Sequence, residues 1–237
     1  MDPLSPQQFE SLRDAHRRVL DRIHAAATRA GRSGDDITLV AVTKSASIEQ
    51  IAALLSLGQI DLGENRVQQL DQRAKALTAE NLPSPRWHMI GHLQRNKVKQ
   101  MLPLVCLIHS IDSQRLAAEV NRVSEELNVV SDVLLQVNIA EEEQKYGLSA
   151  DDAPSLAQQV NQMTHLRLRG IMTMAPYDDA AESSRPVFQQ AAILFENIRN
   201  ALSSPPHFDQ LSMGMSNDYE VAIEEGANVV RVGRALF

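Results

Sequence analysis

The chain has 237 residues, a net charge of −7, an apolar share of 43% and a single cysteine. One cysteine excludes an internal disulfide framework and a cysteine-based metal cluster, and the acidic balance argues against bulk attraction to nucleic acid or to an anionic membrane. Apolar runs of only a few residues fall far short of the ~18 that span a bilayer, and the polar start MDPLSPQQFESLRDAHRR reads as neither signal nor transit peptide, so the expected location is the cytoplasm.

An amphipathic helix is expected first, from about Pro6 to Gly31. Eight β-rich runs then alternate with helical stretches. The strands read as Ile37–Thr43, Ile60–Gly63, Trp87–Ile90, Val105–Ile111, Asp132–Ile139, Leu166–Met172, Phe208–Met213 and Val229–Val232. Several are continuously apolar, as parallel strands buried on both faces are. Ser47, with Gln50 three residues on, predicts a helix closed by Gly58. Ser113 and Ser149 predict two more helix starts, Pro186 to Leu202 a long helix, and Asn217 or Asp218 the cap of a stretch ending at Gly226. Strand–helix alternation of this length predicts a parallel sheet. Eight strands and no linker predict one α/β domain over residues 1–237, a (β/α)8 TIM-type barrel. Only four residues follow Gly233, so no full eighth outer helix is expected. The extra N-terminal helix is expected to cover the gap beside strand eight.

In such a barrel the chemistry sits at the C-terminal strand ends. Strand one ends on Lys44. That lysine is either a solvated charge at the rim or a Schiff-base amine, which must be neutral to attack an aldehyde and is expected to gain desolvation from a half-buried rim. Strand seven runs into LSMGMSND, with Ser212, Gly214 and Ser216 before a helix start. Strand eight, VVRVGR, holds Arg231 and Gly233. Hydroxyls, glycines and a helix start form an anion site, and this fold most often holds phosphate after strands seven and eight. The plainer reading is two ordinary turns, with Arg231 paired to a carboxylate. Strand one follows strand eight around the barrel. A ligand with an aldehyde at one end and a phosphate at the other therefore fits, and pyridoxal 5'-phosphate (PLP) is such a ligand. A sugar-phosphate enzyme independent of PLP would use the same anion site.

The segments LVAVTK, GENRVQ, WHMIGHLQRNK, IHSID, VNIA followed by KYG, LRLRGIMTM, LSMGMSND and AIEEGANVVRVG together resemble the PLP homeostasis protein family. That family is similar to the barrel domain of alanine racemase. The resemblance implies that Lys44 is the PLP-linked lysine and that Ser212, Gly214, Ser216, Arg231 and Gly233 surround the phosphate. It also implies that Asn65 and His88 lie near the cofactor, although Asn65 also reads as a cap and His88 as a hydrogen-bonded core histidine. The sequence departs from the family pattern after Lys44, where Ser45 and Ala46 replace a second lysine and a proline, and at Arg234, where a small residue is usual.

The implied function is a binder that takes part in intracellular PLP homeostasis without turnover, so no catalytic residue and no metal are assigned. Expected partners are PLP itself and apo PLP-dependent enzymes, with no nucleic acid and no membrane, and the chain as monomer or weak homodimer. The alternative is an amino-acid racemase or decarboxylase. Racemisation needs acid–base groups on both faces of the cofactor. With the sequence ending at Phe237, no second domain is expected to supply one, and nothing in the sequence places Tyr146, Tyr177 or Tyr219 opposite Lys44. Arg231, if it faces the pyridine nitrogen, would weaken the ring as an electron sink. Arg95, Lys97 and Lys99 read as a solvated helix face rather than a second anion site, Lys145 as a loop lysine near the mouth, and Cys106 as a small core residue. Met172, Met174, Met213 and Met215 read as rim packing.

Overall fold

Eight parallel strands follow one another around a closed barrel in chain order. The computed structural model describes residues 3–140 and 146–237, so Lys145 lies outside the described residues. The strands are β1 (Thr38–Val42), β2 (Asp61–Glu64), β3 (Arg86–Met89), β4 (Val105–Ile111), β5 (Ser131–Gln136), β6 (Leu166–Met172), β7 (Gln210–Ser212) and β8 (Val229–Val232). Every expected strand is present, and β4, β6 and β8 have the expected bounds. The barrel closes where Thr38 pairs with Val229 and Ala41 with Val232. That register sets Gly233 beside Val42, two residues before Lys44.

Each strand divides its side chains between two cores, as a period of two requires. In β1, Leu39 and Ala41 pack in the large core that includes the helices, while Val42 reaches the cavity described below. Inside the barrel, Leu107, Leu134 and Met172 form a small apolar cluster.

The first helix, α1 (Pro6–Arg29), starts from Ser5, whose hydroxyl accepts the Gln8 N–H while the Gln8 side chain returns to the Ser5 N–H. Both orphan donors are thereby satisfied. Ser47 and Gln50 repeat this box at α2 (Ile48–Ser56), as the sequence predicts. Then come α3 (Val67–Ala79), α4 (Val98–Met101), α5 (Gln114–Glu126, capped by Ser113), α6 (Ala153–Asn161), α7 (Arg185–Ala201) and α8 (Tyr219–Glu224). Two starts differ from expectation in detail. Ser149 accepts the Asp152 N–H in a turn preceding α6, and the helix waits for Ala153 and Pro154, where proline is tolerated because its missing N–H is an orphan anyway. The basic stretch Arg95–Lys99 is a 3-10 turn and a single helical turn, with Lys99 paired to Glu126 at 3.4 Å.

The N-terminal helix takes the outer position that lacks a following helix. It lies between α8 and α2, burying Val19, Ile23, Ala26 and Ala27. Arg22 pairs with Glu220, Arg29 pairs with Glu224 at 2.7 Å, and Arg32 donates to the Ala227 carbonyl at 2.8 Å. Among the described residues no helix is long and apolar enough to cross a membrane. Cys106 is exposed at the start of β4 rather than held in the core. Its apolar run only becomes buried from Leu107 onward, where the strand enters the sheet.

Candidate cofactor site

A cavity of about 360 Å³ opens among the loops that follow the strands. Lys44 enters it just past β1, and Asn65 just past β2. Ser216 and Gly233 come from the loops after β7 and β8, and Arg231 from β8 itself. The sequence-predicted amine and five-residue anion region thus meet in one space, but not all of the predicted residues reach it. Lys44 is exposed, so the half-buried rim expected to desolvate it is not what the fold provides.

Asn65 is half-buried in the wall. The following helix α3 is capped at Arg66 without a side-chain bond, so Asn65 is not spent as its cap. Ser216 accepts the Gly233 N–H at 3.1 Å, tying the two loops together. A Cβ on Gly233 would stand 3.3 Å from both Cβ and O of Val42, so the β8 loop packs tightly on the end of β1.

His88, Ser212 and Gly214 sit behind the wall. Gly214 has φ +90°, and a Cβ there would come within 2.8 Å of the Tyr219 backbone and 2.6 Å of Ala222. Its glycine lets the loop fold onto α8 rather than approach a ligand. Ser212 is fully buried, donating toward His109 Nδ1 at 3.0 Å and accepting from Arg231 at 2.6 Å. His88 is buried between His109 and Asp61, at 3.0 and 2.9 Å. The hydrogen-bonded core reading of His88 is therefore its observed setting. Asp218 caps α8, and its carboxylate accepts the Met215 N–H at 2.7 Å and the Ser184 hydroxyl at 3.2 Å.

Arg231 spans the wall from behind. It is 4% exposed. Its guanidinium donates to Ser212 and, at 2.9 Å, to the Thr173 carbonyl. Among the described residues no carboxylate forms a salt bridge with it. Burial depresses its pKa to about 10, with the Asp218 charge opposing the shift. A buried, still-charged arginine lacking an ion pair favours an anion or an electron-rich ring atom in the cavity.

Sequence reasoning missed several wall residues. Gly91 and His92 follow β3, Gln136 ends β5, and Tyr146 and Tyr177 stand at the mouth, 60% and 67% exposed. Tyr146 stacks on His92 with ring centroids 4.0 Å apart, and the Arg234 guanidinium lies 5.5 Å above the Tyr177 ring. Two tyrosines thus share the cavity with Lys44, a placement the sequence did not reveal. Their signal was position, in the loops that follow β5 and β6. Of the four methionines, Met174 and Met215 line the cavity, while Met172 and Met213 are fully buried.

A closed eight-stranded barrel with an amine beside a hydroxyl–glycine loop pair defines a barrel of the alanine racemase type, and residues 14–237 match the family described as "Alanine racemase, N-terminal domain". The chain is 39% identical over 221 residues to the pyridoxal phosphate homeostasis protein of Aquifex aeolicus, covering 93% of this chain and 94% of that protein. It is 36% identical over 219 residues to the protein of that name from Escherichia coli K12, covering 92% of each. The solved structure of PipY from Synechococcus elongatus PCC7942 with PLP bound superposes with a TM-score of 0.79 at 31% identity, over 92% of this chain and 99% of that one. The chain belongs to the pyridoxal phosphate homeostasis protein family.

Proposed function

We propose that this chain binds PLP covalently and holds it for intracellular PLP homeostasis, without turnover. The observation that carries this reading is that Lys44, Ser216, Gly233 and Arg231 line one cavity, which the β1–β8 register assembles. Its volume, about 360 Å³, lies at the lower end of small-molecule pockets. The amine suits the aldehyde, and the cations Arg231 and Arg234 suit the phosphate and the phenolate of the ring.

The link is a Schiff base. Lys44 Nζ adds to the aldehyde carbon, and both amine hydrogens leave with the carbonyl oxygen as water, so that C=N replaces C=O. Ser216, with the backbone of Gly233, receives the phosphate. Arg231, held by two bonds from behind, supplies a fixed cation at the wall. Apo PLP-dependent enzymes are the recipients that an open mouth and an exposed lysine would serve, because release needs water and partner access to the same bond. The relatives that bear the homeostasis name support this role.

One observation favours a second reading, an amino-acid racemase or decarboxylase. Tyr146 and Tyr177 line the same cavity as Lys44 and offer an acid–base group on another side. Both are solvent-exposed, and the Tyr177 hydroxyl donates to Asp179 at 3.2 Å. A racemase enforces its proton transfers in an enclosed site, so the carrier reading is preferred.

The test is direct. Purified protein mixed with excess PLP gains a near-ultraviolet to visible band, borohydride fixes a pyridoxyl mass on the Lys44 peptide, and Lys44→Ala shows neither. A colourless, unmodified wild type refutes the reading. Optical rotation of L- and D-amino acids then separates carrier from racemase.

A further inference from the structure

Six side chains form a continuous hydrogen-bonded line through the barrel. It starts at Arg231 on the cavity wall and ends at Arg86, at the opposite end of the strands. Arg231 Nη1 lies 2.6 Å from Ser212 Oγ, Ser212 Oγ 3.0 Å from His109 Nδ1, and His109 Nε2 3.0 Å from His88 Nδ1. His88 Nε2 lies 2.9 Å from Asp61 Oδ1, and Arg86 clamps both Asp61 oxygens at 2.7 Å.

With both imidazoles neutral, the two ends fix the placement of every hydrogen between them. A guanidinium only donates and a carboxylate only accepts. Ser212 Oγ therefore accepts from Arg231, and its single hydrogen goes to His109 Nδ1. His109 must then carry its proton on Nε2 and donate it to His88 Nδ1. His88 in turn carries its proton on Nε2 and donates it to Asp61. With both imidazoles neutral, each bond has one hydrogen and none is left over. We propose that His88, His109 and Ser212 form a one-way hydrogen-bond wire that orients Arg231 in the cavity, making all three positioning residues of the site.

Packing alone does not call for this arrangement. The facing part of the barrel interior is filled by Leu107, Leu134 and Met172, and large apolar side chains ordinarily fill such barrels. Buried polar groups destabilise unless hydrogen bonded, yet none of the wire's fully buried side-chain atoms is left without a partner. A fully connected network of this kind specifies geometry more than it adds stability. Its geometric product is the direction of Arg231, whose other hydrogen-bond anchor among the described residues is the Thr173 carbonyl. Burial above all, with the nearby Arg231 charge, holds the His109 pKa well below its ordinary value, in keeping with a neutral ring.

A metal site is the competing use of the far end, since donor atoms of Asp61, His88 and Cys106 lie within 4.8 Å of one another. Both Asp61 oxygens and both His88 nitrogens are already engaged. Desolvation by its neighbours, then the Asp61 charge, pushes the Cys106 thiol up to about 11, so it is protonated at neutral pH.

The inference deepens the PLP reading, but its first test needs no PLP. Long-range ¹H–¹⁵N spectra of the cofactor-free protein at pH 7.5 should show His88 and His109 each as a single neutral Nε2–H tautomer. In Ser212→Ala, His109 Nδ1 loses its donor, so its ¹⁵N signal shifts while Asp61 still holds both rings as Nε2–H and the protein stays folded. PLP affinity, followed by the chromophore, falls about tenfold, the equivalent of one oriented hydrogen bond to a charged group. His109→Gln, which retains a donor and an acceptor, loses less affinity than His109→Ala. An Nδ1–H or doubly protonated ring in the wild type, or ring signals unchanged in Ser212→Ala, overturns the wire. So does Zn²⁺ replacing the His88 Nε2 proton, which would make the far end a metal site. A wild type with the expected tautomers but no PLP chromophore leaves the wire standing and removes the cofactor reading.

Discussion

Replacing Gly91 by alanine tests whether the cavity wall is rigid. Gly91 lies where β3 ends, against the backbone of Asn65. A Cβ at this position would meet the Asn65 carbonyl oxygen at 2.2 Å, its Cα at 2.6 Å and its carbonyl carbon at 2.8 Å. Ordinary contact begins at 3.4 Å, so the two loops must part by about 1.2 Å, the step from 2.2 to 3.4 Å. The obstacle is backbone, which no rotamer change relieves. Overpacking of this kind costs about 1–3 kcal/mol. For a chain of this size each kcal/mol lowers Tm by roughly 2–4 °C, giving a drop of about 2–12 °C. Because Asn65 moves with the wall, PLP affinity should also fall about tenfold, which corresponds to some 1.4 kcal/mol of lost alignment. Thermal unfolding by circular dichroism and a spectrophotometric PLP titration give the two numbers. Gly58→Ala is the control. Its φ of +87° strains any side chain but nothing lies within 4 Å, and it sits before β2, at the other end of the barrel. It should lose about 1–2 kcal/mol of stability from backbone strain alone and leave affinity unchanged. If Gly91→Ala melts and binds like the wild type, the argument for a rigid wall is wrong.

Stability should also fall as pH drops below about 6.5. Below that ordinary histidine value the unfolded chain takes up a proton that buried His109, its pKa depressed, refuses in the fold. His109→Gln should flatten urea midpoints between pH 7.5 and 5, and an unchanged slope would assign the effect elsewhere. Burial raises the Asp61 carboxyl, but hydrogen bonds and charge from His88 and Arg86 outweigh it and leave the pKa depressed. Its stabilisation is therefore present above about pH 3.9 and is lost below, and Asp61→Asn should remove that acid limb. Ile23→Ala, in the fully buried face of α1, should cost about 2–5 kcal/mol; a loss under about 1 kcal/mol would mean that α1 is not integral to the barrel. Arg234→Ala, removing an exposed cation at the mouth, should weaken PLP roughly two- to fivefold and reduce the salt dependence of binding, and equal affinity at low salt would exclude it from the phosphate site.

The barrel was legible because parallel strands buried on both faces leave continuous apolar runs, and because Ser47 and Ser113 announce their helices chemically. The cavity was legible at Lys44, Ser216 and Gly233, since strand ends in this fold converge on one face. Depth was not legible. Ser212 and Gly214 stand two residues apart in the same motif as Ser216. Yet Ser212 is still inside the sheet, bonded to Arg231, while the positive φ of Gly214 turns the chain onto α8. Only the register and the turn separate a residue behind the wall from one in it. Cys106 fails for a related reason: hydropathy marks its run as buried but not the residue at which the strand enters the sheet. Tyr146 and Tyr177 are exposed, aromatic and flanked by polar residues, so no periodicity singles them out.

The barrel interior divides into two halves with different work. Leu107, Leu134 and Met172 fill the part toward β4, β5 and β6, as a packed core does. The remaining space goes to His88 of β3, His109 of β4, Ser212 of β7 and Arg231 of β8, every one buried and bonded. An apolar filling would serve stability at least as well, so the polar half is explained by what it holds in place. A flexible arginine reaching into an open cavity would lose side-chain entropy on every binding event. An arginine already fixed at two nitrogens, by Ser212 and Thr173, has lost that entropy on folding. The fold thus pre-organises its cation from beneath while leaving Lys44, the amine of the proposed PLP link, exposed at the top.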